Sequence, residues 1–449
     1  LGNAADPIDA DQKLQEDALM SYVASVNYSY DDKYYASFSF RRDGSSRLSP
    51  DTRWGNFWSL SASWRLSQER FMQPLKSVLS DLKLRASYGV NGNLPSSYYG
   101  YQSTYTTGAF YSGKPSPWES TLGNEELTWE KNYALNLGLD IGLFSRVNVS
   151  LDWYTRTTKD LLMSKQLNSI SGFSSLLTNV GQMRNTGVEL EVRSNNIKTK
   201  DFSWTTAFNL SHNKNKILKL ADLPWFVDGR YVRKEGYPFN TIYLREYAGV
   251  DPETGSALYY DNQQDENGNY TKNKVTDPGQ ASPIPLKDIT PTISGGFMNT
   301  FNYKFIDLSF NLSYSFGGYS YDNASYILQD DGYSVISNKS TEQRRRWQKP
   351  GDITDVPRFV YGNKKGGNYN SSRAIHSTDH IRLKSLILGL NAPKAWLQKL
   401  GIGNARIYFS GTNLLTWAAY DQYDPEMSGV VGFYTPPLKT YAFGLELKF

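Results

Sequence analysis

Hydrophobic and polar residues alternate along much of this chain with a period of two. In Phe305 to Phe316 the even positions from Ile306 (Ile306, Leu308, Phe310, Leu312, Tyr314, Phe316) are apolar, while the odd ones between them (Asp307, Ser309, Asn311, Ser313, Ser315) are polar. Successive side chains of a strand point to opposite faces, so this segment is a strand with one apolar face. The pattern recurs in Tyr133, Leu135, Leu137, Leu139, Ile141 and Leu143, and in Val147, Val149, Leu151 and Trp153. Phe202, Trp204 and Phe208 repeat it, as do Trp58, Leu60, Ala62, Trp64 and Leu66. About fifteen such segments can be counted, most of them near the roughly 9 to 11 residues that a tilted strand needs to cross a bilayer. The fold expected is all-β: one antiparallel transmembrane β-barrel unit running over 1–449.

Loop lengths give each strand a direction, because bacterial barrels have short periplasmic turns and long external loops. With the C-terminus periplasmic, the turns near Asp31-Asp32, Phe144-Ser145, Asn195 to Asp201 and Tyr303-Lys304 fall on the periplasmic side. The excursions 91–130, 158–185, 214–239, 262–291, 317–379 and 414–438 fall outside. Parity between the strands near 202–213 and 293–302 is expected to require an extra hairpin. In it Tyr243 to Gly249 descends, Asp251-Pro252-Glu253-Thr254-Gly255 turns, and Ser256 to Asp261 rises; Asp-Pro and a closing Gly suit such a turn.

Composition changes this picture little. The mean hydropathy of -0.55 looks soluble, but lipid-facing residues that alternate with lumen-facing ones give the same average. No uncharged apolar run approaches the roughly 20 residues of a spanning helix. The 33 Tyr, 21 Phe and 11 Trp gather at strand ends: Tyr28, Tyr30, Tyr34, Tyr35, Trp54, Phe57, Trp58, Trp129 and Tyr133 are expected to form interfacial girdles. A propeller would repeat about every 40 to 50 residues, and no such period is present. The net charge of +4 is spread along the chain and gives no reason to expect nucleic acid. Cysteine is absent, which removes disulfides and thiolate metal sites. The first residues lack the basic start and apolar stretch of a signal peptide, so residue 1 is not expected to be where the gene begins.

Several stretches resemble SusC/RagA-type TonB-dependent transporters of Gram-negative outer membranes. They are Leu82-Lys83-Leu84-Arg85-Ala86-Ser87-Tyr88-Gly89 with Asn91-Gly92-Asn93, Leu127-Thr128-Trp129-Glu130-Lys131, and Val180-Gly181 through Asn185-Thr186-Gly187-Val188-Glu189. Asp288-Ile289-Thr290-Pro291, Arg346-Trp347-Gln348-Lys349-Pro350-Gly351-Asp352 and Ile381-Arg382-Leu383-Lys384 follow. Last come Gly411-Thr412-Asn413-Leu414-Leu415-Thr416 and Tyr423-Asp424-Pro425-Glu426. They stand in family order over nearly the whole chain. One departure is His380, where the family has Tyr.

The resemblance implies a multi-pass barrel of about 22 strands in the outer membrane, with about seven strands and an N-terminal plug lying upstream of this sequence. It also implies import of glycans or oligopeptides with a SusD-like surface lipoprotein, driven by TonB through the plug. A siderophore or cobalamin receptor is the alternative within the class, and an outer-membrane barrel enzyme the alternative outside it. The terminal Phe449, with Tyr441, Phe443, Leu445 and Leu447 on one face of the last strand, resembles the assembly signal of such barrels.

The chemical motifs are sparse. Gly108-Ala109-Phe110-Tyr111-Ser112-Gly113-Lys114 approaches a phosphate loop, but Pro115 stands where a Mg²⁺-binding hydroxyl belongs. His376 and His380 have metal-ligand spacing for a helix, yet they lead into a strand. Asp251, Glu253, Asp261 and Asp265 could offer oxygen to Ca²⁺, although they fit no EF-hand spacing, and solvated turns explain them better. Arg344, Arg345 and Arg346 could meet lipopolysaccharide phosphates or form a solvated loop. With three His, no Cys and no G-x-S-x-G or H-E-x-x-H, no hydrolase machinery is visible. Aromatic faces stack on sugar rings and cations, so the candidates for substrate contact are Trp118, Trp225, Phe226, Arg230, Tyr231, Arg233 and Tyr237.

Overall fold

The computed structural model describes residues 14–107, 110–220, 223–363, 370–393, 397 and 401–449. Thirteen strands follow one another in a single antiparallel sheet, each paired with the next in the chain. They are β1 Leu19–Tyr30, β2 Tyr34–Ser45, β3 Trp54–Arg65, β4 Leu79–Asn93, β5 Glu130–Leu143, β6 Val147–Lys159 and β7 Gln182–Lys198. The remainder are β8 Phe202–Lys219, β9 Ile293–Tyr303, β10 Ile306–Phe316, β11 His380–Asn391, β12 Asn404–Ala418 and β13 Thr440–Lys448. Among the described residues no helix is long and apolar enough to cross a membrane.

Register carries the sequence pattern across the sheet. Trp204, Phe301, Leu308, Leu388, Phe409 and Phe443 stand opposite one another from β8 to β13, forming an apolar row on one face. One residue along, the other face bears ions: the Arg406 guanidinium meets the Asp307 carboxylate at 2.6 Å. Because the side-chain period is two, a slip of one residue would send these ions into lipid. Two glycines make the close approaches possible. Gly389 faces Asp307, and a Cβ there would lie 2.5 Å from the carboxylate oxygens; a Cβ on Gly138 would lie 2.6 Å from the Arg85 guanidinium and from Asp152. Arg85 bonds both Asp140 and Asp152 across that glycine.

The tight turns are sharp and few residues satisfy them. Asp31 and Asp32 take φ of 51° and 49°, and Phe144 and Ser145 take 51° and 52°. Both central residues of a two-residue turn in the left-handed region match the right-handed twist of the flanking strands. Aspartate tolerates that region better than phenylalanine. At the same end of the sheet Tyr30, Tyr34 and Trp64 stack in sequence, and Tyr34 and Trp64 both donate to Glu69.

Three expectations are corrected. Among the described residues the wall has thirteen strands where about fifteen were expected, because β8 pairs directly with β9 and the strand directions alternate without an intervening hairpin. Of the segments expected to form that hairpin, Tyr243 to Gly249 is divided between Thr241–Leu244, which pairs with Ile284–Asp288, and Tyr247–Val250, which pairs with Ala257–Tyr260; the latter also pairs with Lys274–Val275, all within the external loop. The excursions 214–239 and 262–291 are accordingly parts of one loop. Phe57 and Trp129 leave the girdle as well: they pack edge to face at 5.2 Å in a buried cluster with Leu48, Val90 and Leu127, where the Trp129 indole N–H donates to the Arg53 carbonyl.

Candidate functional site

The external loops are knitted into one another, and the recurring motifs are the stitches. Trp347 lies against Gly255, its indole N–H donates 2.8 Å to the Pro252 carbonyl, and the Gly351 N–H reaches the same oxygen. Asp352 holds the turn below by accepting from the Gln348 and Lys349 amides. A second stitch joins Arg373 to Asp331, which is fully buried and also receives the Gln343 amide. In a third, Arg382 donates to Asp424 at 2.7 Å and to Glu426 at 2.9 Å, and Lys384 adds to Glu426.

The histidines are parted by this arrangement. His376 stacks flat on Tyr420 at 3.7 Å, half-buried with its Nε2 enclosed and unbonded, and desolvation lowers its proton affinity. His380 turns its Nδ1 to the Thr378 carbonyl and its Nε2 toward Glu426. The acidic candidates serve separate turns: Asp251 accepts from the Glu253 amide and Thr254, Asp261 from Thr271 and Asn273, and Asp265 from the Asn267 and Asn269 amides. Those donors hold Asp251, Asp261 and Asp265 charged, below the usual carboxylate range. Among the described residues no group of three or more His, Cys, Asp or Glu is placed to hold a metal. Gly108 and Ala109 lie outside the described residues; Phe110–Tyr111 and Lys114–Pro115 form a small hairpin, without the strand-to-helix setting of a phosphate loop. Arg344 to Arg346 are exposed, with Arg345 paired to Glu342.

The long loop between β8 and β9 contains a cleft of about 450 Å³ lined by Trp225, Val232, Lys234, Tyr243, Asn262, Gln263, Gln264, Tyr270, Ser282, Pro283 and Pro285. Trp225 sits 6.0 Å from Tyr243, tilted, and is 46% exposed. Of the sequence candidates, only Trp225 lines this cleft. Phe226 packs in a core with Leu161, Met163, Ile217 and Leu220. Arg230 lies over the Tyr321 ring and donates to Asn323, and Tyr231 packs on the cluster around Ile242 and Tyr321. Arg233 is buried against Phe239 and paired with Asp228. Tyr237 carries the Lys234 ammonium 5.1 Å above its ring, and Trp118 is exposed in a separate short ribbon with Thr104–Thr106. Lys234, Tyr243, Tyr270 and the amides Asn262-Gln263-Gln264 were not singled out in the sequence. The run of three amides beside an aromatic segment is the signal that marked them.

A family model described as "TonB dependent receptor-like, beta-barrel" matches residues 2–242, more than half of the chain. The chain belongs to the TonB-dependent receptor β-barrel family. Members are outer-membrane proteins of Gram-negative bacteria, and transporters rather than enzymes. TonB-dependent receptor P3 of Formosa agariphila is 33% identical over 97% of this chain and 46% of its own length. TonB-dependent receptor SusC of Bacteroides thetaiotaomicron is 31% identical over 98% of this chain and 45% of its own. The structure of the RagAB peptide transporter superposes with a TM-score of 0.89 at 31% identity, over 100% of this chain and 50% of that one. The chain thus spans about half the length of the relatives it matches. The TonB-dependent receptor barrel accounts for the two faces of the sheet: one apolar row for lipid, one ion-bearing wall for the lumen.

Proposed function

We propose that this chain supplies wall, mouth and external loops of a TonB-dependent importer that carries glycans or oligopeptides across the outer membrane together with a SusD-like surface lipoprotein. The observation that carries this reading is the match to the RagAB peptide transporter over the full chain, loops included. The SusC likeness points the same way and away from a siderophore or cobalamin receptor. Loops stitched by Arg382 to Asp424 and by Arg373 to Asp331 make a stiff rim on which a partner can close. TonB acts through the plug. Phe449, with Tyr441, Phe443, Leu445 and Leu447 on the lipid-facing side of β13, is the assembly signal of the barrel.

The test is purification of the tagged full-length protein from outer membranes. A stoichiometric lipoprotein partner and TonB-dependent uptake of a glycan or peptide are expected. An isolated monomer that takes up an iron chelate would overturn the reading.

A further inference from the structure

The cleft in the β8–β9 loop gathers polar groups that the protein leaves unused. Among the described residues no hydrogen bond is made by the Trp225 indole N–H, the Tyr243 and Tyr270 hydroxyls or the Gln264 side-chain amide, and Lys234, whose ammonium rests over the Tyr237 ring, forms no ion pair; all five line the same space. Gln263 uses its amide NH₂ on Ser282 and the Gln280 carbonyl and keeps its carbonyl oxygen free. Polar atoms that a fold leaves without partners in a concave site are the groups that orient a ligand. Among the described residues no carboxylate lines the cleft: Asp261 is held by Thr271 and Asn273, and Glu246 by Lys272 and Asn262. Among the described lining residues Lys234 is the one that carries a charge.

Resting on the importer reading, we propose that this cleft is a binding site for an acidic oligosaccharide. A sugar ring lays its C–H face on the half-exposed Trp225 indole, while ring hydroxyls bond Gln263, Gln264, Tyr243 and Tyr270. A carboxylate or sulfate substituent pairs with the Lys234 ammonium. The aromatic plane, amides and single cation fit a polyhydroxylated anion. A peptide ammonium finds no carboxylate partner among the described residues that line the cleft.

The experiment is calorimetric titration of the purified full-length transporter with a uronate tetrasaccharide, a neutral tetrasaccharide and a tetrapeptide. Folding of each variant is checked by heat-modifiable migration. Lys234→Gln is expected to weaken the uronate about tenfold, the loss of roughly one charge-assisted contact, and to leave the neutral sugar unchanged. Trp225→Ala is expected to remove binding of both sugars, Trp225→Phe to retain part of it, and Gln264→Leu, at an exposed position without partners, to weaken it in a folded protein. Uronate binding that ignores both Lys234→Gln and Trp225→Ala, or a tetrapeptide that competes at Trp225, would overturn the site. Uptake is measured separately in cells: uronate binding without TonB-dependent uptake of any sugar or peptide would overturn the importer reading and leave the site standing.

Discussion

Arg382, in the third position of β11, places its guanidinium 2.7 Å from the carboxylate of Asp424 in the following external loop, and both side chains are about 5% exposed. The contact fastens the β12–β13 loop to the start of a wall strand. Removing one member of a buried pair leaves the other charge without compensation, at a cost of about 3–5 kcal/mol. Asp424→Ala is expected to free residues 419–439 without preventing insertion. Hydrogen exchange in that segment, set beside the folded amount in isolated outer membranes, separates the two effects. The double replacement Arg382→Leu with Asp424→Leu is expected to recover part of the protection.

The two faces of β13 make unequal demands. Leu445 stands opposite Ile407 on the lipid side, whereas Glu446 stands opposite Arg406 on the lumen side, 3.7 Å from its guanidinium. A cation near the bilayer midplane on the lipid side costs about 2–4 kcal/mol. Leu445→Arg is expected to lower the folded fraction sharply and Glu446→Gln hardly at all. Equal yields in isolated membranes would mean the faces are assigned the wrong way round.

His376 makes the loop mouth sensitive to acid. Burial against Tyr420 depresses its proton affinity below that of an ordinary imidazole, despite the opposing pull of Asp322. Above about pH 6.5 the ring is neutral in both folded and open loops, and its packing is fully available. As pH falls below that value the open loop takes up a proton that the packed one resists, so stability is lost. Exchange at 319–322 and 375–377 is expected to rise between pH 7.5 and pH 5, after correction for intrinsic rates. His376→Phe keeps the stacking and is expected to abolish this difference.

Gly255 takes φ of 67°, and a Cβ would meet the Trp347 ring at 2.3 Å. Gly255→Ala combines left-handed strain with a clash, together about 1–3 kcal/mol. The amides of Gly351 and Arg358, which donate to Pro252 and Gly255, are expected to lose exchange protection. Exchange in the paired cores of β4 and β5 should be unaffected.

What could be read in the sequence was the membrane-embedded wall, because lipid imposes alternation there and nothing else does so as strictly. The alternating stretch Phe305 to Phe316 contains β10, Ile306–Phe316, one residue short at its start. Where strands leave the bilayer the pattern lapses. β8 runs on through Asn213-Lys214-Asn215-Lys216 to Lys219, paired with β7 but with no apolar face to announce it. The hairpin expected over 243–261 failed for the converse reason: Tyr247 and Tyr259 pack edge to face on each other inside a loop and do not meet lipid. At the cleft, Trp225 was visible as an exposed aromatic in a loop, but Arg233 looked the same and is buried under Phe239. Residue type alone cannot tell a platform from a prop when the difference lies in long-range packing. The histidine pair likewise divided because one ring found Tyr420, 44 residues away in sequence.

The glycines set against charged groups on the lumen wall determine how much room the bore has. At Gly138 the Arg85 guanidinium lies flat between Asp140 and Asp152, and at Gly389 the Asp307 carboxylate sinks toward the backbone beside Arg406. A methyl group at either glycine would tip the ions away from the sheet and into the lumen. Recessed and paired, the same charges present a low-relief surface; under the proposed import function, that is a wall along which a polar solute meets no long cationic arm to hold it.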